Sequence, residues 1–242
     1  MDQEANDPRR KWLIRMLAAG LIGGGPLVPG AAAAQLLGRR PGKLPPGRSV
    51  YRVTGDVKVD GKAATLDTHI APGARVVTGA DGELIYAVGD SAFLARAKTE
   101  VVIERTEGAS LLVAGYNLLR GKLLSVFGGG RHIRLQSPLA TVGIRGTGVY
   151  METDPEQTYF CTCYGVTDVA AAHDPQSKTT VVATHHNRPL YILGGQPAGE
   201  NIRNAPFIDH TDQELMLIEA LVGREPPFVF PKADYSAPRR PY

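Results

Sequence analysis

Ser137-Pro138-Leu139-Ala140-Thr141-Val142-Gly143-Ile144-Arg145-Gly146-Thr147-Gly148-Val149-Tyr150 is an alternating apolar and polar run that breaks into glycines around one arginine and then resumes. Alternation with a period of two describes a strand with one face buried. Gly143, Gly146 and Gly148 permit backbone angles that a residue with a Cβ resists, and glycine inside a strand marks a bulge or a close approach. Arg145 reads as a structural clamp whose planar fork meets backbone carbonyls or a carboxylate. With Gly146 and Thr147 it is also the candidate binding segment, for an anionic group.

The same texture extends on both sides. Val57-Lys58-Val59 alternates and is followed by Asp60-Gly61, a two-residue hairpin turn. Leu84-Ile85-Tyr86-Ala87-Val88 is closed by Gly89-Asp90. Residues 99–104 and 109–113 flank Glu107-Gly108, and residues 123–127 and 132–136 flank three glycines. Turn signals recur roughly every ten residues from 50 to 193, which predicts an all-β fold, an antiparallel roll or sandwich of many short strands. One C-terminal α-helix is expected over 212–222. Thr211 and Glu214 form a capping-box pattern, Leu215, Ile218, Leu221 and Val222 recur at helical spacing, and Gly223 with Pro226-Pro227 ends it.

Residues 50–151 resemble FecR-type domains, named for the periplasmic part of the ferric-citrate regulator. The quoted stretch matches that family's Thr-Pro…Val-Arg-Gly-Thr signature at Ser137-Pro138, Ala140, Ile144, Arg145, Gly146, Thr147 and Val149. Gly55–Gly61 resembles the opening hairpin, and residues 72–82 resemble the Gly-x-x-Val-x-Thr-Gly-x-Asp-Gly element. Gly89-Asp90-Ser91 departs from the family's Asp-Gly-Ser turn. The resemblance implies a non-enzymatic binding, sensory or scaffolding domain of the cell envelope.

The composition is that of an ordinary globular protein: of 242 residues 43% are hydrophobic and 21% charged, and the net charge is +3. Basic residues form no stripe with interleaved aromatics, so nucleic acid is not an expected partner. Arg9-Arg10-Lys11 precedes an apolar stretch over 16–34, and Ala32-Ala33-Ala34 is a small-residue cleavage pattern. The paired arginines resemble a twin-arginine export signal, with Pro8 where Ser or Thr is usual. Residues 1–34 are therefore expected to be a signal peptide and the mature protein periplasmic. An uncleaved membrane anchor is the other reading, the only membrane attachment expected, although Pro26 and Pro29 interrupt a segment barely long enough to span. Residues 35–49 read as a proline-rich linker, 152–230 as a β extension carrying the helix, and 231–242 as a mobile tail. Family members that regulate sigma factors carry a cytoplasmic region ahead of a membrane helix. Only Met1–Arg15 precede the apolar segment here, so a free periplasmic module is the expectation, its partner an envelope protein or a small ligand.

Cys161-Thr162-Cys163 holds the chain's two cysteines. Residues i and i+2 of a strand point to one face, so a strand over 158–166 places both sulfurs together. Three readings stay open: metal ligation with histidines, a mutual disulfide, or two small buried hydrophobes. The disulfide is poor geometry, because the Cα atoms of such residues lie about 6.7 Å apart, at the edge of the bridging range. His185-His186 ends the run 179–184, so one imidazole of the doublet is expected to face the sulfurs and the other to face away. His210 stands just before the helix cap. Two thiolates and two imidazoles suit tetrahedral zinc, with copper or iron as alternatives.

Other residues carry weaker signals. Ser91, Ser110 and Ser125 lack a nucleophile-elbow context. Asp56, Asp60, Asp81 and Asp90 lie in turns. His69, His132 and His173 are scattered. Two functions from different classes follow: a non-enzymatic FecR-like envelope module, with metal responsiveness as one form of it, and a periplasmic Cys/His metalloprotein with a redox or metal-handling role.

Overall fold

The computed structural model describes residues 41–105, 113–129 and 132–228. The expected signal segment, the start of the linker, the Glu107-Gly108 turn with residues 109–112, and the tail over 231–242 lie outside the described residues. In chain order the elements are β1 (Val50–Thr54), β2 (Val57–Val59), β3 (Lys62–Ala63), β4 (Arg75–Thr78), β5 (Glu83–Val88), β6 (Ser91–Ala95), β7 (Glu100–Arg105), β8 (Val113–Val126), β9 (His132–Gln136), β10 (Ala140–Thr153), β11 (Gln157–Ala171), β12 (Asp174–Ala183), β13 (Leu190–Leu193), β14 (Ile202–Asn204) and one helix, α1 (Asp212–Leu221).

All fourteen strands hydrogen-bond into one sheet that rolls over on itself. The chain is all-β with a C-terminal helix, as the turn spacing predicts. Asp60 and Gly61 both take positive φ, the geometry of a type I′ turn between β2 and β3. Two features differ from expectation. β8, β10 and β11 are 14 to 15 residues long rather than short. β8 and β9 pair in parallel over residues 115–117 and 134–136, although every other pairing is antiparallel.

The long strands build the roll by changing partners along their length. Residues 113–120 of β8 pair with β7, whereas residues 121–126 pair with β10. Residues 141–145 of β10 pair with β9, and from Gly148 onward β10 pairs with β8 instead. The switch in β10 falls on the Arg145-Gly146-Thr147-Gly148 bulge. Gly146 has φ +59°, and a Cβ on Gly148 would sit 2.4 Å from the Tyr164 ring. The glycines are thus a requirement of the strand's turn from one partner to the next. The 151/152 division between the FecR-like segment and its β extension falls inside β10, which pairs with β11 from Ala140 to Thr153.

The two faces of these strands make two clusters. The inner one gathers residues from most strands, including Tyr86, Phe93, Tyr116, Phe127, Val149 and Phe160. The outer one holds Ile85, Leu94, Leu124, Val126, Tyr150, Tyr159, Cys161 and Cys163, and it is covered by Leu215, Ile218 and Leu221 of α1. A helix of ten residues is marginal alone, so its stability comes from that apolar face. Each fully buried Leu or Ile contributes about 1.5–3 kcal/mol. Thr211 caps α1, and Glu214 completes the expected capping box. Buried Glu219 accepts from Tyr164 Oη and from Arg224 Nε, which keeps its charge paired. The far end of α1 meets the N-terminal segment, where the Leu44 amide donates to the Leu221 carbonyl. Among the described residues no helix is long and apolar enough to cross a membrane.

Candidate metal centre

The strand period of β11 turns Phe160 into the inner core and Tyr159, Cys161 and Cys163 outward under α1. Both thiols are free and fully buried. β12 pairs with β11 only up to Gly165↔Ala183, and then the chain leaves the sheet. Asn187 Oδ1 accepts from the Thr184 and His185 amides, at 2.7 and 2.9 Å, and the His186 amide donates to the Cys163 carbonyl. His186 sits in the left-handed region with φ +51°, an unusual conformation for a residue with a Cβ. This turn delivers the imidazole to the sulfurs.

His210 comes from the other side. Arg96 donates to the Asp209 carbonyl at 2.7 Å, Lys122 Nζ donates to Asp209 Oδ2 at 2.6 Å, and the Ile208 amide donates to Tyr159 Oη at 3.2 Å. The Tyr150 ring stacks on the His210 ring at 4.6 Å, and Phe207 packs edge-on against it. The approach to α1 is thus fixed to the sheet on three sides.

The result is a cluster of Cys161, Cys163, His186 and His210 whose four donor atoms all lie within 4.8 Å of one another. Cys161 Sγ is 3.5 Å from His186 Nδ1, Cys163 Sγ is 3.4 Å from His210 Nε2, and the two nitrogens are 3.1 Å apart. A tetrahedral zinc ion with ordinary bond lengths has S···N edges of about 3.5–3.6 Å and an N···N edge of about 3.3–3.4 Å. The three measured edges lie close to those values. Nitrogens this close can share only one ion.

The outer nitrogens define the inner ones. His210 Nδ1 lies 2.7 Å from the Ile208 carbonyl, which can only accept, so Nδ1 carries the proton. His186 Nε2 lies 2.9 Å from Asp212 Oδ1 and donates to it. Each ring is therefore held by a partner beyond the cluster, as metal-bound histidines usually are, and each turns its other nitrogen inward. Burial pushes the Asp212 carboxyl up, but hydrogen bonds from His186 and His185 outweigh it and hold the group below the usual range.

The protons reflect the crowding. The Cys161 thiol is lowered to about 4, chiefly by its hydrogen bond with Cys163, with His186 and His210 adding to it against the cost of burial. The Cys163 thiol is pushed well up by burial and by Cys161. Burial pulls His186 down, yet Asp212 and Cys161 outweigh it and raise it to about 9. Without an ion the cluster is a buried thiolate beside an imidazolium. That contact also has the outline of a Cys-His-Asp nucleophile. Cys161 is fully buried under α1, however, so no substrate atom can reach its sulfur in this structure.

Of the expected ligands, His185 alone stays outside. Its side chain is half-exposed and its Nε2 lies 3.0 Å from both Asp212 oxygens. The doublet was expected to split across two faces of a strand. The turn at Asn187 and the positive φ of His186 send both imidazoles to one carboxylate instead. Asp212 was missed by the sequence reading. Its signal was a carboxylate two residues after His210, in the first turn of the helix.

Arg145, Gly146 and Thr147 are not brought together as a ligand site. Arg145 is exposed and paired with Asp168, which Thr180 also holds at 2.7 Å. It meets a carboxylate, one of the partners expected of it, and the pair lies on the surface. Gly146 serves the bulge, and Thr147 is fully buried.

No protein-family model matches the chain, and no curated protein matches it. Solved structures similar in part of their fold include two crystal structures, at 2.50 and 1.65 Å resolution, of a protein provisionally assigned as an anti-sigma factor from Parabacteroides distasonis ATCC 8503. Each is 11% identical with a TM-score of 0.42, and the match covers 54% of this chain and 58% of that one. The chain thus matches little more than half the length of these structures.

Proposed function

We propose that this chain is a non-enzymatic metal-binding envelope protein, in which one divalent ion of the zinc class is held by Cys161 Sγ, Cys163 Sγ, His186 Nδ1 and His210 Nε2. The observation that carries the reading is the convergence of two thiols and two inward imidazole nitrogens at ligand-edge distances, with both outer nitrogens already tied to acceptors. Two thiolates and a divalent ion make a neutral centre, which suits full burial, whereas a monovalent copper ion would leave a negative charge there. Tetrahedral S2N2 coordination suits zinc best among common metals.

Four protein ligands close the site, so the ion has no open position for substrate. Its role is to pin His210, and with it α1, onto the outer face of the sheet. The FecR-type resemblance of residues 50–151 supports a sensory or scaffolding module, and the signal-like N-terminus supports export. Metal state is then what the module reports to an envelope protein or small ligand.

Elemental analysis of the purified protein tests this, with cobalt substitution as the spectroscopic arm. One zinc per chain and the intense visible absorption of tetrahedral thiolate-bound Co(II), lost in Cys161→Ser and Cys163→Ser, are expected. Copper or iron at full occupancy would reassign the ion, and no metal retained or taken up would refute the centre.

A further inference from the structure

We propose that His185 and Asp212 form a loading station, a second and transient metal-binding site through which the ion reaches the buried centre. This rests on the metal-binding reading above. His185, His186 and Asp212 also have ligand atoms within 4.8 Å of one another, a second group that shares His186 with the first. Exposure falls steadily along this path: the side chains of His185, Asp212 and His186 are 50%, 22% and 7% exposed, and Cys161, Cys163 and His210 are fully buried. The contacts form a continuous line. His185 Nε2 touches the carboxylate, the carboxylate touches His186 Nε2, and His186 Nδ1 touches Cys161 Sγ.

A fully buried four-ligand site has a kinetic problem that equilibrium geometry does not solve. A hydrated divalent ion cannot shed all its water at once, and so it needs ligands that replace water one at a time. His185 and Asp212 supply an imidazole and a carboxylate where water is still present. His186 stands between that pair and the sulfurs, on a backbone already in the left-handed region. The ion passes inward by exchange of ligands alone. Water leaves to solvent, the protons displaced from the His186 imidazolium and the Cys163 thiol follow it, and no electron moves.

The alternative role for His185 is structural, as a hydrogen-bond donor that steadies Asp212. His185→Gln separates the two, because a glutamine amide still donates to Asp212 but is a poor metal ligand. The probes are Zn2+ alone and a chromophoric chelator, with association and chelator-driven release followed on the full chain. His185→Gln and His185→Ala should keep one ion per chain and an unchanged Co(II) spectrum, while both uptake and release slow about tenfold, the low end of what groups beyond the direct ligands contribute. His185→Glu, which restores an exposed metal-binding group, should recover most of the rate. Parent-like rates in His185→Gln with the ion bound overturn the station and leave the centre standing. Loss of the ion in His185→Ala also overturns it, by making His185 a ligand of the centre. A parent protein that takes up no ion overturns both readings.

Discussion

The inner and outer faces of the same strands are filled on different principles. On β11, Phe160 joins the inner cluster, and its neighbours Tyr159 and Cys161 join the outer one. The inner face closes on apolar and aromatic side chains packed against one another. Phe93 stacks against Tyr86 at 5.0 Å and packs on Tyr116 and Phe127 at 4.6 and 5.8 Å. The outer face closes around polar donors: two thiols, two imidazoles and the carboxylate that steadies one of them. Burying such groups costs free energy unless each has a partner, and here the partner that fits all four is an ion. The inner core should thus be stable unconditionally, and the outer layer, with α1 and the Leu44 segment it touches, only conditionally.

The largest expected effect lies on the unconditional side. Phe93→Ala removes a fully buried ring at the centre of the aromatic group and should cost about 3–5 kcal/mol. That corresponds to a fall of roughly 6–20 °C in Tm, read by thermal melts, and it should be the same with and without added zinc. A zinc-dependent loss would break the separation of the two faces.

The next effect belongs to the outer face. Zinc at a hundredfold excess over its dissociation constant should stabilise the parent by about 2.7 kcal/mol. Melts with and without the ion should therefore differ by roughly 5–11 °C in the parent and not at all in Cys163→Ser. Trypsin adds a local readout, since the Lys43-Leu44 and Arg224-Glu225 bonds beside α1 should become sensitive first when the ion is removed.

The smallest effect is expected at Arg145, which the sequence reads as a structural clamp. Arg145→Ala breaks an exposed ion pair with Asp168, and such pairs contribute little. Its melt should shift by less than about 4 °C. A larger fall would mean that the pair does more for the β10 bulge than its exposure allows.

What the sequence could reveal was set by how local each signal is. The Asp60-Gly61 turn, the Thr211/Glu214 capping box and the common face of Cys161 and Cys163 are fixed by neighbours within a few residues, and each is present. The partner changes of β8 and β10 depend on strands far away in the chain. They turned expected short strands into long ones and carried β10 across residues 151/152. Arg145 looked like a buried clamp because its glycine setting was legible and its exposure was not. The choice between His185 and His186 hinged on one left-handed residue and on Asn187, which strand periodicity cannot anticipate. Asp212 was hidden by a second role, since an acidic residue in the first turn of a helix is explained by the helix alone.

The central claim is that the outer layer is completed by one ion, and the most direct test is a calorimetric titration of zinc into metal-stripped protein in two buffers at pH 7. Cys161, lowered to about 4, is already a thiolate there, while Cys163, raised by burial, and His186, raised to about 9, each still hold a proton. Both protons must leave when the ion binds, so acid opposes binding. Affinity should rise about a hundredfold per pH unit around pH 7 to 8, where those two protons leave. The account predicts one ion bound per chain with about two protons released. No uptake, or uptake unaltered in Cys163→Ser, would contradict it.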